Sequence, residues 1–406
     1  MNNQYRAAIV GCGSIGQAHM QGYERIDNID VVAVVDPLAP AREMYKNQYG
    51  IPEGYATVSE MLQSAKPDIV SICVWHLLHD KVTAEVAVGP TVKGIICEKP
   101  MAIGMGRADV MVEVCEVNGV KLAISHQRRF TPGWEKAHQL VEDGAIGIPL
   151  RADLRVKEGL ANWGTHSIDG ARYILGDPVA EWVMGAVERR TNKFERDTAI
   201  EDSCMGLIHF GGSLQFFIQS DLWDRNCDAG KFFIRGTEGM LHVTETVLKL
   251  FNAETKGWES IDLGLKDGDQ AIGGNTNAAQ TRELINWIET GKESRGSGRI
   301  ARETVEIMMA MYESARQNRV IQLPLNEKEY PLDLMIKEGK FELEDTERYD
   351  IRGFLDRSKI DENRYQQIRD DGIPHHQAMS IVHSEMGTKG IKPAPELNSL
   401  DRSEDS

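Results

Sequence analysis

The sequence has few cysteines and no pattern that would use them in pairs. Its six cysteines include no C-x-x-C pair, and Cys73 and Cys97 both lie inside apolar runs. Buried free thiols of this kind are typical of a reducing compartment. No apolar run is long enough to cross a membrane, and the first five residues are polar rather than the start of a signal peptide. We therefore expect a cytoplasmic protein.

Positive charge is also scarce, because 46 Lys and Arg residues stand against 62 Asp and Glu residues, for a net charge of −16. An acidic surface repels phosphate backbones and anionic lipids, so we expect neither a nucleic-acid nor a membrane partner. The G-x-S-x-G and H-E-x-x-H hydrolase motifs are missing. His375, His376 and His383 have no cysteine near them in the sequence, so no metal site is predicted.

What is present is a chain of 406 residues, of which 41% are hydrophobic, enough for two or three packed domains. Strand and helix patterns alternate over residues 1–125, which predicts an α/β domain with a doubly wound parallel sheet. Over residues 126–325 strands such as Ser203–Phe210 follow one another, which predicts an α+β domain with a large, mainly antiparallel sheet. Residues 326–406 are rich in charge, so we expect a partly disordered C-terminal extension that ends in a disordered segment, 397–406.

A glycine-rich turn follows the first predicted strand and opens a helix. It matches G-x-G-x-x-G, and Asp36 ends the next strand 20 residues after its last glycine. The helix N-terminus offers free N–H groups to a diphosphate, and the Asp36 carboxylate suits the ribose hydroxyls but repels a 2′-phosphate. The pattern therefore predicts a Rossmann domain that binds NAD, with NADP less favoured. The residues of the turn are Gly11, Cys12, Gly13, Ser14, Ile15 and Gly16.

The tripeptide Glu98-Lys99-Pro100 follows another predicted strand, at the edge of the sheet where ligands bind. A lysine there can hydrogen-bond a substrate hydroxyl, stabilise a developing alkoxide, or act as a base if burial lowers its pKa. The alternative is an ordinary solvated lysine before a turn. The sequence thus makes Lys99 a candidate catalytic residue.

A second candidate, His166, lies in the first turn of a predicted helix that Thr165 could cap. An imidazole is suited to taking the proton when an alcohol becomes a carbonyl. Nearby, Trp163 could stack on the apolar face of a sugar, although core packing is an equal alternative. Arg129 could line the same pocket, although a single charge of this kind is more often solvated.

With these motifs, the chain resembles the Gfo/Idh/MocA oxidoreductases, the glucose–fructose oxidoreductase and inositol dehydrogenase group, over residues 5–325. The resemblance implies that Lys99 is catalytic and that His166 contacts the reacting hydroxyl. It also implies that the sheet of the second domain carries the substrate face and the contacts of a homodimer or homotetramer. The matching residues are the turn at 11–16, Asp36, His79, Glu98-Lys99-Pro100, Arg129-Phe130, Pro132, Gly164, His166 and Asp169.

The resemblance also implies which residues contact the cofactor and which contact the substrate, although this chain departs from the family pattern at three positions. This chain has Trp75-His76 where the family often has Pro-Asn, and Asn162 where it commonly has an Asp. Because an amide accepts no proton at neutral pH, either Lys99 or His166 must be the base. The expected cofactor contacts beyond the turn and Asp36 are Trp75, His76, His79, Glu98 and Lys99. The expected substrate contacts are Lys99, Arg129, Asn162, Trp163 and His166.

These expectations combine into an NAD-dependent dehydrogenase that transfers hydride between a secondary hydroxyl of a sugar, inositol or glycoside and nicotinamide. Three alternatives stay open on the same scaffold. One is a glycoside hydrolase that acts through transient oxidation by a retained NAD. The others are a non-enzymatic, nucleotide-sensing regulator and an imine-reducing enzyme with a mainly apolar pocket.

Overall fold

The computed structural model describes residues 3–220, 230–266 and 270–388. Its N-terminal domain is built on a six-stranded parallel sheet with the strand order β3-β2-β1-β4-β5-β6. The strands are β1 (Tyr5–Val10), β2 (Ile29–Val35), β3 (Glu53–Tyr55), β4 (Ile69–Ile72), β5 (Gly94–Cys97) and β6 (Lys121–Ile124). The connecting helices are α1 (Ser14–Tyr23), α2 (Ala39–Tyr49), α3 (Val58–Ser64), α4 (His79–Ala87) and α5 (Met105–Val117). The predicted doubly wound sheet is confirmed.

The strands of this sheet are short and apolar, as expected when helices cover both faces of a parallel sheet. All four residues of β4 and all four of β5 are buried, as expected for central parallel strands. The helix α3 begins at a capping box, in which the Thr57 hydroxyl accepts the N–H of Glu60 and the Glu60 carboxylate accepts the N–H of Thr57. Such local signals explain why the bounds of α3, α4 and β5 follow from the sequence.

The second domain contains a nine-stranded sheet with the order β16-β15-β14-β13-β7-β12-β11-β8-β17. Its neighbours are antiparallel except for β7 and β12, which run parallel, so the prediction of a mainly antiparallel sheet is confirmed. Its strands are β7 (Pro149–Val156), β8 (Ala180–Glu188), β11 (Ser203–Phe210), β12 (Gln215–Ser220), β13 (Phe232–Gly236), β14 (Gly239–Val243), β15 (Leu248–Asn252), β16 (Glu259–Ser260) and β17 (Ile321–Gln322). Two further strands, β9 (Thr191–Glu195) and β10 (Thr198–Ala199), lie beside it.

Helices cover one face of this sheet and leave the other open. They are α6 (Pro132–Glu142), α7 (Thr165–Ile174) and α9 (Gly298–Gln317). The helix α9 lies so close to β8 that a Cβ added at Gly185 would come within 2.5 Å of the Met311 carbonyl oxygen. On the open face, alternate strand residues expose apolar side chains, among them Met184, Met205 and Phe233.

The predicted domain boundary at residue 325 does not match the packing. The helix α8 (Gly274–Thr290) returns to the N-terminal domain, where a Cβ on Gly22 of α1 would meet the Asn277 Cβ at 2.7 Å. The helix α10 (Pro331–Lys337) packs on α9, and its Leu332 is fully buried in the main core. The second domain therefore extends beyond residue 325, and α8 belongs with the first.

The C-terminal extension is more structured than its charge predicts. It contains the strand β18 (Asp345–Asp350) and the helices α11 (Glu362–Asp370) and α12 (His375–Glu385). Its few apolar residues come together in a small core that includes Phe354, Tyr365 and Met379. The segment 397–406, expected to be disordered, lies outside the described residues. Within the part of the chain that the structure describes, no helix combines the length and the apolar character that a membrane span requires.

Candidate functional site

A crevice lies at the carboxyl ends of β1, β4, β5 and β6, where an open parallel sheet binds its ligands. It encloses a cavity of about 170 Å³. Both domains and the C-terminal extension contribute to its walls. The lining residues that matter for its chemistry are Gly13, Ser14, Cys73, Trp75, His76, Glu98, Lys99, Ser125, Gln127, Arg128, His166, Arg196, Leu355 and His375.

The three glycines of the turn have three different surroundings. Gly11 has a φ of +103°, and a Cβ there would lie 2.6 Å from the Cys73 carbonyl oxygen. A Cβ at Gly16 would lie 2.6 Å from the Gly11 carbonyl oxygen, because α1 packs tightly on β1. A Cβ at Gly13 would meet no atom within 4 Å, and this residue faces the cavity just before the N-terminus of α1. The turn thus provides an open cradle that fits a diphosphate.

Asp36 ties the end of β2 to this turn. Its carboxylate accepts the N–H of Cys12 at 2.9 Å and the N–H of Leu38 at 2.9 Å. Each carboxylate oxygen keeps a further lone pair that a ribose hydroxyl could use. Arg42 donates to the Asp36 carbonyl oxygen at 2.6 Å rather than to the carboxylate. The position of Asp36, next to the turn and outside the small cavity, suits the ribose next to the adenine.

Glu98 is buried and anchors the segment that carries Lys99. Its Oε1 lies 3.0 Å from His19 Nε2, while the other nitrogen of His19 lies 2.9 Å from the Ser71 hydroxyl. Burial alone would raise the pKa of Glu98, but the hydrogen bond and charge of His19, with Lys99, outweigh it and lower that pKa. A charged Glu98 therefore holds this end of β5 in place, and the peptide bond between Lys99 and Pro100 is cis.

Lys99 and His166 come from different domains and line the same cavity. His166 begins α7 after a π-helical turn, Leu160–Gly164. Burial, and then the positive charges of Lys99, Arg128 and His126, hold the pKa of His166 well below its usual value of 6.5. The imidazole is therefore neutral at neutral pH and has a nitrogen that can accept a proton.

The residues that follow β4 differ in position: two line the cavity, and a third is buried beneath it. Trp75 and His76 line the cavity, as the expected cofactor contacts should. His76 also joins the domains, since its Nε2 bonds the Thr198 hydroxyl and its Nδ1 lies 3.7 Å from Glu195 Oε2. His79 is buried beneath the crevice, where its nitrogens lie 3.0 Å from the carbonyl oxygens of Pro100 and Val74. A direct cofactor contact does not fit this position, and His79 instead fixes the loop next to Lys99.

Arg129 does not line the cavity, whereas its neighbour Arg128 does. Arg129 is fully buried and pairs with Asp169 at 2.6 Å and with Asp177 at 2.8 Å. Arg128 faces the cavity, pairs with Glu245 and stacks on Trp163. The reason is the 3-10 turn Gln127–Phe130, which directs consecutive side chains to different sides. The expectation for Arg129 is therefore corrected: this arginine holds α7, and Arg128 faces the site.

Asn162 and Trp163 are also buried and do not line the cavity. The Asn162 amide donates to the carbonyl oxygen of Glu158 at 3.4 Å, so it stabilises the π-helical turn. Trp163 packs edge-on against His166, with 5.5 Å between the ring centroids, and Lys157 lies 4.4 Å from its ring. In this structure both residues support His166 instead of facing a substrate, which corrects their expected direct contacts.

Several lining residues were not predicted from the sequence, among them Arg196, Leu355 and His375. Arg196 lies in the turn between β9 and β10, with a φ of +46°. Leu355 and His375 belong to the C-terminal extension. No local pattern marks these residues, because only the tertiary fold brings them to the crevice. The extension also carries Arg357, whose charge interacts with that of Asp36.

Fold and site together define an oxidoreductase built on a dinucleotide-binding domain and a second α/β domain. Residues 5–126 match the family model described as "Oxidoreductase family, NAD-binding Rossmann fold". Residues 159–323 match its partner, "Oxidoreductase family, C-terminal alpha/beta domain". These matches cover more than half of the chain. The chain belongs to the Gfo/Idh/MocA oxidoreductase family.

The individual proteins to which the chain is similar have low sequence identity to it. The chain is 25% identical over 362 residues to a D-apiose dehydrogenase of Paraburkholderia graminis, a match that covers 81% of this chain and 92% of that protein. It is 28% identical over 190 residues to a myo-inositol 2-dehydrogenase of Thermotoga maritima, covering 43% of this chain and 56% of that protein. Levoglucosan dehydrogenase, solved with NADH and levoglucosan, has a similar fold, with a TM-score of 0.70, 19% identity and coverage of 80% and 100%.

Proposed function

We propose that this oxidoreductase oxidises a secondary hydroxyl of a sugar, inositol or glycoside, with NAD as hydride acceptor. The observation that carries the proposal is the meeting of Lys99 and His166 in one cavity with the open glycine turn. The charged lining, which includes Arg128 and Arg196, favours a hydroxylated substrate and speaks against an imine-reducing enzyme with an apolar pocket. The relatives named above, dehydrogenases of apiose, inositol and levoglucosan, support the same substrate class.

The division of labour is proposed from the chemistry of the two side chains that line the cavity. Oxidation of a hydroxyl releases one proton and one hydride, and bound NAD supplies the hydride acceptor. Neutral His166 accepts the hydroxyl proton, and the Lys99 ammonium hydrogen-bonds the same oxygen and stabilises its developing negative charge. Arg128 faces the same cavity. Buried neighbours support both residues: the Glu98 carboxylate accepts the backbone N–H of Lys99 at 3.2 Å, and Trp163 packs against the ring of His166.

For the cofactor, we propose NAD in preference to NADP. The Asp36 carboxylate would face the ribose hydroxyls, and its charge would repel a 2′-phosphate. Arg42 and Arg357 are the nearby cations, but Arg42 is engaged by a carbonyl oxygen and Arg357 by the carboxylate of Glu362. Neither is poised to hold an added phosphate.

A screen of the purified chain against sugars, inositols and glycosides tests this function, with NADH absorbance followed for NAD and NADP in parallel. We expect steady NADH production with at least one polyol or sugar, and a lower rate with NADP. Hydrolysis of a glycoside without net NADH production would favour the NAD-dependent hydrolase instead. Cofactor binding without turnover of any substrate would favour a nucleotide-sensing regulator.

We further propose that the chain forms a homodimer or homotetramer through the open face of the nine-stranded sheet. A cavity of about 880 Å³ lies on this face; its lining includes the apolar side chains of Met184, Met205 and Phe233 and also the charged side chains of Arg151, Asp153, Arg155 and Lys231. Monomeric proteins rarely leave such a patch exposed. For location we propose the cytoplasm, with support from the five free cysteine thiols among the described residues.

A further inference from the structure

The C-terminal extension is firmly attached at its base to the second domain. Its strand β18 pairs in parallel with β9. The Asp350 carboxylate accepts the backbone N–H groups of Arg196 at 3.0 Å and Asp197 at 2.7 Å. Arg352 pairs with Glu158 at 3.1 Å. These contacts fix the base of the extension next to Arg196, which itself lines the crevice.

Beyond this base, residues 353–388 form a unit with its own small core. The helix α12 packs on α11 and on the turn Gly353–Leu355, around the buried side chains of Phe354 and Tyr365. The unit extends over the crevice, where Leu355 and His375 face the same cavity as Gly13 and Ser14. At its other side, Arg357 lies close enough to Asp36 for their charges to interact.

The cavity that this unit helps to enclose is small for a ligand pocket. With residues 353–388 in their present position, the cavity measures about 170 Å³. Pockets that hold small molecules usually measure roughly 300–1,000 Å³, and a dinucleotide belongs among the larger ligands. Leu355 packs against the small core of this unit, which is separate from the main cores of the two domains. Outward movement of this unit would admit a dinucleotide.

His375 is held in an orientation that suits a diphosphate. Its Nδ1 lies 2.8 Å from the hydroxyl of buried Tyr365. Burial, and then the charges of His376, Arg357 and Arg369, lower the pKa of His375 to about 3, so the ring is neutral. A neutral imidazole carries a single N–H, and when the Tyr365 hydroxyl donates to Nδ1 this N–H is on Nε2. Nε2 is then a hydrogen-bond donor on a side chain that lines the same cavity as Gly13 and Ser14.

We propose that residues 353–388 form a C-terminal lid, hinged at β18, that opens to admit the dinucleotide and then closes on its diphosphate through His375. The inference rests on the proposed cofactor site. In the closed state the diphosphate lies between the N–H groups at the start of α1 and His375 Nε2, so the lid slows the release of the cofactor. Tyr365 is a positioning residue, since it acts only by orienting His375.

The test is NADH binding by the full-length chain, measured by fluorescence titration and by stopped-flow dissociation. Loss of a hydrogen bond to a charged group should make His375→Ala release NADH about 10-fold faster and bind it correspondingly less tightly. Tyr365→Phe should shift both quantities in the same direction by less, and His375→Gln should recover part of the loss. Gln366→Ala, on the exposed side of α11, is the control and should bind like the unmodified chain.

A second readout reports the movement itself. Amide hydrogen exchange across residues 362–385 should slow when NADH is added to the full-length chain, because the lid closes on the cofactor. Unchanged or tighter NADH binding by His375→Ala, with no change in exchange, would overturn the lid while leaving the cofactor site intact. Failure of the unmodified chain to bind NADH would instead overturn the proposed function, and the lid with it.

Discussion

At the residue scale, the proposed chemistry rests on Lys99 and His166, which line the same cavity. Lys99 extends from the end of β5, while His166 begins α7 in the other domain. Burial lowers the pKa of His166, and the nearby positive charge of Lys99 lowers it further, because both disfavour the protonated imidazole. The same proximity gives the site one proton acceptor and one fixed cation, which alcohol oxidation requires.

Replacement of Lys99 by alanine is expected to lower kcat by roughly 10²–10⁴-fold, the usual contribution of a group that assists proton transfer or stabilises charge. NADH binding should change little, since the glycine turn and Asp36 supply the main contacts. Steady-state kinetics and NADH fluorescence titration measure the two effects separately. Lys81→Ala, on the exposed side of α4, is the control, and near-full activity of Lys99→Ala would refute the assigned role.

The pH dependence of turnover tests the charge state of His166. Its pKa is lowered from 6.5 in the folded protein, so the ring stays neutral, and kcat should not fall as the pH decreases through 6.5. Arg128→Gln removes one of the positive charges that lower this pKa, so the acid limb of kcat should move to higher pH. The measurement is kcat between pH 5 and 9, and a limb centred near 6.5 in the unmodified chain would contradict the account.

Residue types could be predicted at this scale, but side-chain directions could not. The sequence identified Lys99 and His166 because a lysine after a strand and a histidine at a helix start can be recognised locally. It chose Arg129 over Arg128, since nothing in a pair of adjacent arginines shows which one Asp169 will hold. Burial of Asn162 and His79 was equally invisible, because it depends on segments distant in the sequence.

At the scale of elements, two glycines of the turn between β1 and α1 are expected to affect different properties. Gly16 affects the stability of the fold, and Gly13 affects the binding of the cofactor. Gly16→Ala puts a Cβ within 2.6 Å of a carbonyl oxygen, and overpacking of this kind costs about 1–3 kcal/mol, more than the ~1 kcal/mol that alanine gains in a helix. We expect Gly16→Ala to lower the Tm. Gly13→Ala meets no protein atom and should keep the Tm, yet weaken NADH binding, because its Cβ enters the cradle.

Calorimetry measures the Tm of this matched pair of variants, and NADH titration measures how tightly each binds the cofactor. The account requires the larger loss of Tm in Gly16→Ala and weakened binding without loss of Tm in Gly13→Ala. If Gly13→Ala bound NADH as tightly as the unmodified chain, the diphosphate could not lie against this turn. The φ of Gly13, −93°, is open to alanine, so backbone strain does not complicate the comparison.

Most elements of the two domains could be predicted, because apolar periodicity and capping signals are local. The exceptions have a common physical reason. The helix α8 lies in the second half of the chain but packs on α1, and no local signal records which domain an amphipathic helix will join. In the extension, apolar residues such as Phe354 and Met379 are separated by many charges, so composition indicated disorder where tertiary contact makes a core.

At the scale of the whole molecule, the open sheet face matters because it exposes Met184, Met205 and Phe233. If a second copy covers it, charges placed there should separate the subunits. Met205→Asp combined with Phe233→Glu is expected to reduce the mass of the oligomer, measured by light scattering after size-exclusion chromatography. Val117→Asp, on the exposed side of α5, is the control, and an unchanged mass of the double variant would exclude this face as the interface.

The central claim is that Lys99, His166 and the glycine turn act together on one secondary hydroxyl. Its most direct test uses a substrate from the screen that carries deuterium on the carbinol carbon, with NAD and the unmodified chain, followed by mass spectrometry of the cofactor. The account predicts that the deuterium is recovered in the reduced nicotinamide in proportion to the product formed. Product that forms while the cofactor stays unlabelled would contradict it.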